Sequence, residues 1–192
     1  MMDHKNLPNR QSIRLQGYDY SYPGFYFVTI CTYRREHLFG KVVDGKMILS
    51  EFGEIAFQFW SQTESRHPNV RADEFIIMPN HLHGIIEIIN PDLSVKAIHE
   101  SPVPIDADKE SIRKYRRSML IPKIMGWYKM NSSKKINILR QTPGKKIWHR
   151  NYYDHIIRNE EALFYIREYI KNNPLNWEKD RFRANHSVSK TK

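Results

Sequence analysis

The chain has 192 residues, 40% hydrophobic and 27% charged, a balance that excludes a disordered polymer and leaves length enough for a real core. It has no apolar run of about 18 residues, no apolar stretch of the signal-peptide kind in its opening MMDHKNLPNR, and a single cysteine, Cys31; these exclude a membrane-spanning helix and an internal disulfide and predict a cytoplasmic protein. The net charge of +10 is concentrated, because residues 111–150 carry twelve Lys/Arg and no acid while the remainder holds nineteen against twenty-one acids.

Residues 1–24 are rich in Arg, Asn and Tyr and end in the turn signal Tyr22-Pro23-Gly24. The β-branched and aromatic run Phe25 to Tyr33 predicts a strand. Asp44-Gly45, between Val42-Val43 and Met47-Ile48-Leu49, predicts a short hairpin. Ser50 with Glu51 and Glu54 opens a helix whose apolar positions are Ile55, Phe59 and Trp60. Phe75 to Met78 and Gly84 to Ile89 then read as an antiparallel pair, the second strand beginning at or just before His81. Residues 91–110, with three prolines and little periodicity, predict a mobile loop. A basic helix is expected from about Leu120 to Ile138, with Pro122 tolerated in its first turn. Ile147 to Tyr153 reads as a strand, and Asn159-Glu160-Glu161 opens an amphipathic helix through Tyr169 that Asn173-Pro174 stops. Residues 178–192 read as a polar, disordered tail. Strands arriving in antiparallel pairs between helices predict one α+β domain with helices packed on a sheet.

The basic segment attracts a polyanion, and Trp127, Tyr128 and Trp148 within it offer rings that stack on bases; a solvated face or an acidic protein contact is the alternative. His81 and His83 are two apart, so on a strand both imidazoles project from one face while Leu82 turns to the core. Such a pair is a metal clamp or, equally, two ordinary turn histidines. No His-Glu-x-x-His or cysteine cluster supports a zinc protease or zinc finger. On the last helix Tyr169 and Asn173 share a face, as do Tyr165 and Tyr169. A phenol with a pKa near 10 becomes a nucleophile beside a cation that polarises its target, and the Asn173 amide oxygen offers a further ligand; the alternative packs both tyrosines on the core. Asp154, His155 and Arg158 form a second polar cluster that orients a ligand or holds the strand-to-helix turn.

Together these pieces carry a resemblance that none carries alone. Met78-Pro79-Asn80-His81-Leu82-His83-Gly84 before an apolar strand resembles the HUH motif of the single-strand transposases, and Tyr169-Ile170-Lys171-Asn172-Asn173-Pro174 resembles its companion Tyr-Ile-x-x-Asn-Pro. Arg14, Tyr18-Asp19-Tyr20, Tyr26 to Thr32, Trp148 and Tyr153 to Arg158 are similar to the REP-associated tyrosine transposases, so the resemblance spans roughly residues 10–177. It implies a ferredoxin-like or RRM-like antiparallel sheet, a Mg²⁺ or Mn²⁺ ion on His81 and His83, and Tyr169 as the nucleophile. The implied product is a 5′-phosphotyrosine with a free 3′-OH, rejoined by the reverse chemistry. Mobile-element relatives usually carry Gln four residues after the tyrosine, where this chain has Asn173. The implied partner is single-stranded DNA with a hairpin, bound by a monomer or homodimer in the nucleoid. Arg116, Arg117, Lys123, Lys129, Lys134, Lys135 and Trp148 would receive the hairpin, and Arg10 and Arg14 a flanking tetranucleotide. Two other readings stand beside this one: a noncatalytic RRM-like nucleic-acid binder, and a hydrolase that activates water on the metal.

Overall fold

The first strand sets the plan of the molecule. In the computed structural model, which describes residues 18–89 and 108–183, β1 (Gly24–Cys31) turns Tyr26, Val28 and Ile30 to one side and Phe25 and Phe27 to the other. It lies between β5 (His81–Ile88) and β6 (Tyr153–Ile157), with β4 (Val70–Met78) outside β5, so the sheet runs β4-β5-β1-β6. Every pairing is antiparallel. Thr29 stands opposite both His83 and Tyr153, and Phe27 opposite both Ile85 and His155.

The two faces are covered unequally. On one, α1 (Glu51–Ser61) and α4 (Leu120–Leu139) pack Trp60, Ile124 and Tyr128 against Tyr26, Val28, Leu82 and Ile86. On the other, α5 (Glu160–Lys171) sets Leu163 and Ile170 against Ile85 and Ile157 and lies over β4 and β5. Burying each such side chain stabilises the fold by about 1.5–3 kcal/mol. One helix does not cover four strands. The β1–β6 half of this face therefore opens into a cleft of about 620 Å³ that Phe27, Tyr153 and His155 line. Among the described residues, no helix is long and apolar enough to cross a membrane.

Local chemistry explains most of the boundaries. Asp44 and Gly45 both take positive φ, 49° and 70°, which makes the tight turn between β2 (Gly40–Val43) and β3 (Lys46–Leu49). Ser50 caps α1 by accepting the Gly53 amide, and Asn159 caps α5 by accepting the Ala162 amide. A single turn, α2 (Thr63–Arg66), leads into β4. The basic helix begins at Leu120, with Pro122 in its first turn as expected.

Three expectations are corrected. The strand expected at 147–153 is only a bridge, Thr32 to Trp148, because Lys129 Nζ takes the carbonyls of His149 and Arg150 at 2.6 and 2.8 Å and the strand starts at Tyr153 instead. The end of the loop expected at 91–110 belongs to α3 (Lys109–Ser118), which Asp108 caps through the Glu110 and Ser111 amides; residues 91–107 lie outside the described residues. The polar tail expected from 178 instead continues a 3₁₀ turn (Pro174–Lys179) and folds back, burying Phe182, whose carbonyl accepts from Asn80 Nδ2 at 2.6 Å. Residues 184–192 lie outside the described residues.

Candidate active site

Alternation along β5 sends Leu82 into the α1/α4 layer and turns His81 and His83 toward α5, as the spacing required. Both histidines are buried, with ring centroids 4.5 Å apart. The bonds around Asn80 fix the tautomer of His81. Asn80 Nδ2 donates to the carbonyls of Arg35 and Phe182, so its Oδ1 faces the imidazole and accepts from His81 Nδ1 at 2.8 Å. His81 Nε2 is thereby left as a lone pair, buried without a hydrogen-bond partner, 3.8 Å from Asp180 Oδ2. Burial, then the Arg35 guanidinium, push the His81 pKa down to about 3, so the ring is neutral at pH 7 and this contact is not an ion pair. Two electron-pair donors face one another across a gap that a cation would reconcile.

His83 is held in the same way. Thr29 Oγ1, on the neighbouring strand, bonds its Nδ1 at 2.8 Å, and its Nε2 faces the Tyr169 hydroxyl at 3.1 Å. Burial, with His81 beside it, holds its pKa well below the usual range. His81, His83 and Asp180 each present a ligand atom, and these lie within 4.8 Å of one another. Neutral imidazoles anchored through their far nitrogens, together with a carboxylate, are a donor set for a divalent metal.

α5 is fixed where it carries the tyrosine. Arg167 forks onto Asp73 of β4 through Nε at 2.9 Å and a terminal nitrogen at 2.5 Å. One turn on, Lys171 lies 3.7 Å from Glu74. Tyr169 stands edge-on to Phe27 and against His83 while 45% of its surface stays exposed to the cleft. Burial and then the Asp180 carboxylate raise its pKa, so the phenol stays protonated at neutral pH unless a cation assists. Asn173 is buried, with Oδ1 lacking a hydrogen-bond partner, and its amide lies near enough to His81 and Tyr169 to bias both protonation equilibria. Tyr165 is 63% exposed against Phe164, away from the histidines.

The segment after α5 roofs the site. The Phe182 ring lies 4.9 Å from His81 and 5.8 Å from His83, and Trp177 lies 6.1 Å from His81. Asp180 and Phe182 escaped the sequence reading because no local spacing ties them to the histidines. Asn80 was inside the quoted motif, and Thr29 inside the first strand, but their bonds to the rings emerge only from the folded register.

The other sequence candidates scatter. His155 is exposed in the same cleft as Tyr169, whereas Asp154 is buried and, by alternation, on the opposite face of β6; Arg158 is exposed beyond the strand. The polar cluster is therefore split between two layers. Arg117 on α3 and Lys123, Lys134 and Lys135 on α4 are exposed, and Arg116 lies on α3. Lys129 is committed to two backbone carbonyls, and Trp148 is 5% exposed with Nε1 donating to Ser132 Oγ at 2.9 Å, so its ring belongs to the core. Arg10 and Arg14 lie outside the described residues.

No family model matches the chain. Among solved structures it is similar to a REP-associated tyrosine transposase bound to a REP hairpin, with a TM-score of 0.46 and 17% identity over 81% of this chain and 68% of that one. It is also similar to a putative transposase from Deinococcus radiodurans, with a TM-score of 0.40 and 13% identity over 83% of this chain and 95% of that one. Both scores fall below the level at which two chains are known to share a fold. In sequence the chain is 40% identical over 174 residues to an uncharacterized protein of Haemophilus influenzae, covering 91% of this chain and 93% of the relative. Likeness of that extent over nearly the full length of both makes the chain a member of the same family as the Haemophilus influenzae protein.

Proposed function

We propose that this chain is a metal-dependent HUH-type transposase that cleaves and rejoins single-stranded DNA through Tyr169, in one domain of ferredoxin-like plan. The succession β1, α1, β4, β5, α4, β6 supports that plan, being the split β-α-β pattern repeated. One observation carries the catalytic reading: the Tyr169 hydroxyl lies 3.1 Å from His83 Nε2, in a cluster where the unpartnered Nε2 of His81 faces Asp180. His81, His83 and Asp180 would hold Mn²⁺ or Mg²⁺, two imidazoles favouring Mn²⁺. Bound there, the ion supplies positive charge against a phosphate oxygen and the developing phenolate.

The chain's own groups do the rest. The Arg167–Asp73 fork holds α5 so that the Tyr169 oxygen points into the cleft. That oxygen attacks phosphorus and gives up its proton; the bond from phosphorus to the 3′-oxygen breaks, and the 3′-oxygen takes a proton to become a free hydroxyl. The 5′-phosphate stays on the tyrosine until a 3′-hydroxyl reverses the step. Lys179 and Arg181, which line the cleft, supply charge for the flanking phosphates. Phe182 and Trp177 shield the histidines from bulk water. Exposed Arg117, Lys123, Lys134 and Lys135 extend a basic surface along α3 and α4 toward which hairpin DNA is drawn.

The test is incubation of the full chain with Mn²⁺ and single-stranded DNA containing a hairpin. A protein–DNA adduct that survives denaturing electrophoresis, and that EDTA prevents, is expected. DNA binding with no adduct on a panel of hairpin substrates would favour a noncatalytic binder. Cleavage with no adduct would favour hydrolysis by water.

A further inference from the structure

A second cavity is larger than the tyrosine cleft. A groove of about 1,130 Å³ runs between the C-terminal half of α4 and residues 141–150. Met130 and Ile138, each 64% exposed, contribute apolar surface to it, and Lys134, Lys145, Lys146 and Arg150 supply the charge. No Asp or Glu is among the described residues that line it. Apolar surface exposed inside a groove of one sign of charge suits a ligand that is itself both apolar and anionic.

The groove is built without a ligand. Asn137 Nδ2 donates to the Lys145 carbonyl at 2.8 Å, the Thr142 amide donates to the Asn137 carbonyl at 3.0 Å, and Lys129 pins residues 149 and 150. Strained backbone lies in its wall at Gln141 and just beyond it at Arg34 and Arg35. Gln141 has φ of 54°, and Arg34 and Arg35, next to the lining residue Tyr33, have φ of 57° and 55°. These are three of the four non-glycine residues with positive φ in the described structure; the fourth, Asp44, is the hairpin turn. Such strain persists where surrounding contacts enforce it, and it gathers at ligand clamps.

We propose that this groove holds unpaired bases of single-stranded DNA against Met130 and Ile138 while Lys134, Lys145 and Lys146 hold their phosphates. An apolar floor with a cationic, acid-free rim complements a single strand, which offers ring faces and phosphates together. A duplex keeps its bases stacked inside and would leave that floor uncovered. Position supports the same occupant. Tyr33 lines the groove just after β1, whose last residue, Cys31, pairs with His81. The groove and the histidine cluster thus flank the same end of β1, in opposite layers. The inference rests on the single-strand reading of the tyrosine site for its choice of DNA, not for the existence of the groove.

The experiment is fluorescence anisotropy on the full chain with a fluorescein-labelled oligo-dT and an abasic oligonucleotide of equal length. The expected result is that oligo-dT binds more tightly than the abasic strand. Met130→Ser/Ile138→Ser, which removes the apolar floor without adding charge, should weaken oligo-dT about tenfold while leaving the abasic strand unchanged, which also controls for folding. Lys134→Ala/Lys145→Ala should weaken both strands and lower the slope of log affinity against log salt by about 1.4, or about 0.7 per lost phosphate contact. Equal binding of the two oligonucleotides, or oligo-dT binding unmoved by the floor substitutions, overturns the proposal. So does a floor variant that converts a sedimenting dimer to a monomer with unchanged DNA affinity, which would make the groove an interface between copies. Base-dependent binding here without any tyrosine adduct would sink the nuclease reading alone; an adduct with no base dependence would sink the groove alone.

Discussion

The glycine that closes the His-Leu-His-Gly motif has a steric reason to be there. Gly84 faces α1, and a Cβ on it would lie 2.3 Å from Trp60 Cζ2 and 2.9 and 3.0 Å from Cε2 and Cη2. Trp60 is fully buried, edge-on to Tyr128 at 5.4 Å and tilted against Phe75 at 6.0 Å, so its ring cannot swing clear. Overpacking of this kind costs about 1–3 kcal/mol, while replacing glycine inside a strand returns roughly 0.5–1. Gly84→Ala is therefore expected to destabilise by about 1–2 kcal/mol net, measured by urea unfolding of the metal-free chain. Trp60→Phe removes the clashing atoms and loses no hydrogen bond, because Trp60 Nε1 has no partner among the described residues. The double variant should then be more stable than the sum of the single losses by about 1 kcal/mol or more. A Gly84→Ala chain as stable as the wild type, or strictly additive losses, would refute the packing of β5 under α1. Since Gly84 adjoins His83, the same strain should also weaken metal binding.

Two further predictions concern the site and its support. Asp180→Ala should lower Mn²⁺ affinity at least about tenfold in calorimetry of the full chain, as should His81→Ala; unchanged affinity in either variant would remove that residue from the metal site. The hydrogen-bonded Arg167 guanidinium holds the Asp73 carboxyl below its ordinary pKa. The stability this adds is present above the unfolded carboxylate value and is lost as pH falls through the native one; with Arg167 partly exposed it amounts to about 1 kcal/mol. Asp73→Asn should accordingly cost that much at pH 7 and progressively less as pH falls through the native carboxyl's value; a loss that does not change with pH would show that the clamp does not act through charge.

Much of this arrangement is legible in the chain because it is local. Alternation over His81 to Ile88 tells which side each residue takes, and the spacing of Tyr169 to Asn173 places them on one helical face. The Asp44-Gly45 turn and the Ser50 cap are likewise decided within a few residues. What the sequence hides depends on distant partners. Ile147 and Trp148 look like the start of a strand, yet they make a single bridge, and Lys129, on a helix well upstream, takes the His149 and Arg150 carbonyls that would continue it. α3 has few apolar residues to show a period, and only the Asp108–Ser111 cap marks its start. Asp180 sits in a polar stretch and reaches the histidines because Asn80 and Arg35 tie down the carbonyls that follow it, a closure that no spacing rule encodes.

The central claim is that Tyr169 is the nucleophile. The direct measurement is peptide mapping, by mass spectrometry, of the adduct formed with single-stranded hairpin DNA and Mn²⁺. Phosphodiester-linked nucleotide is expected on the peptide containing Tyr169, with the adduct abolished in Tyr169→Phe and retained in Tyr165→Phe, because only Tyr169 reaches His83. Nucleotide on Tyr165, Tyr152 or Tyr153, or an adduct undiminished in Tyr169→Phe, would contradict it.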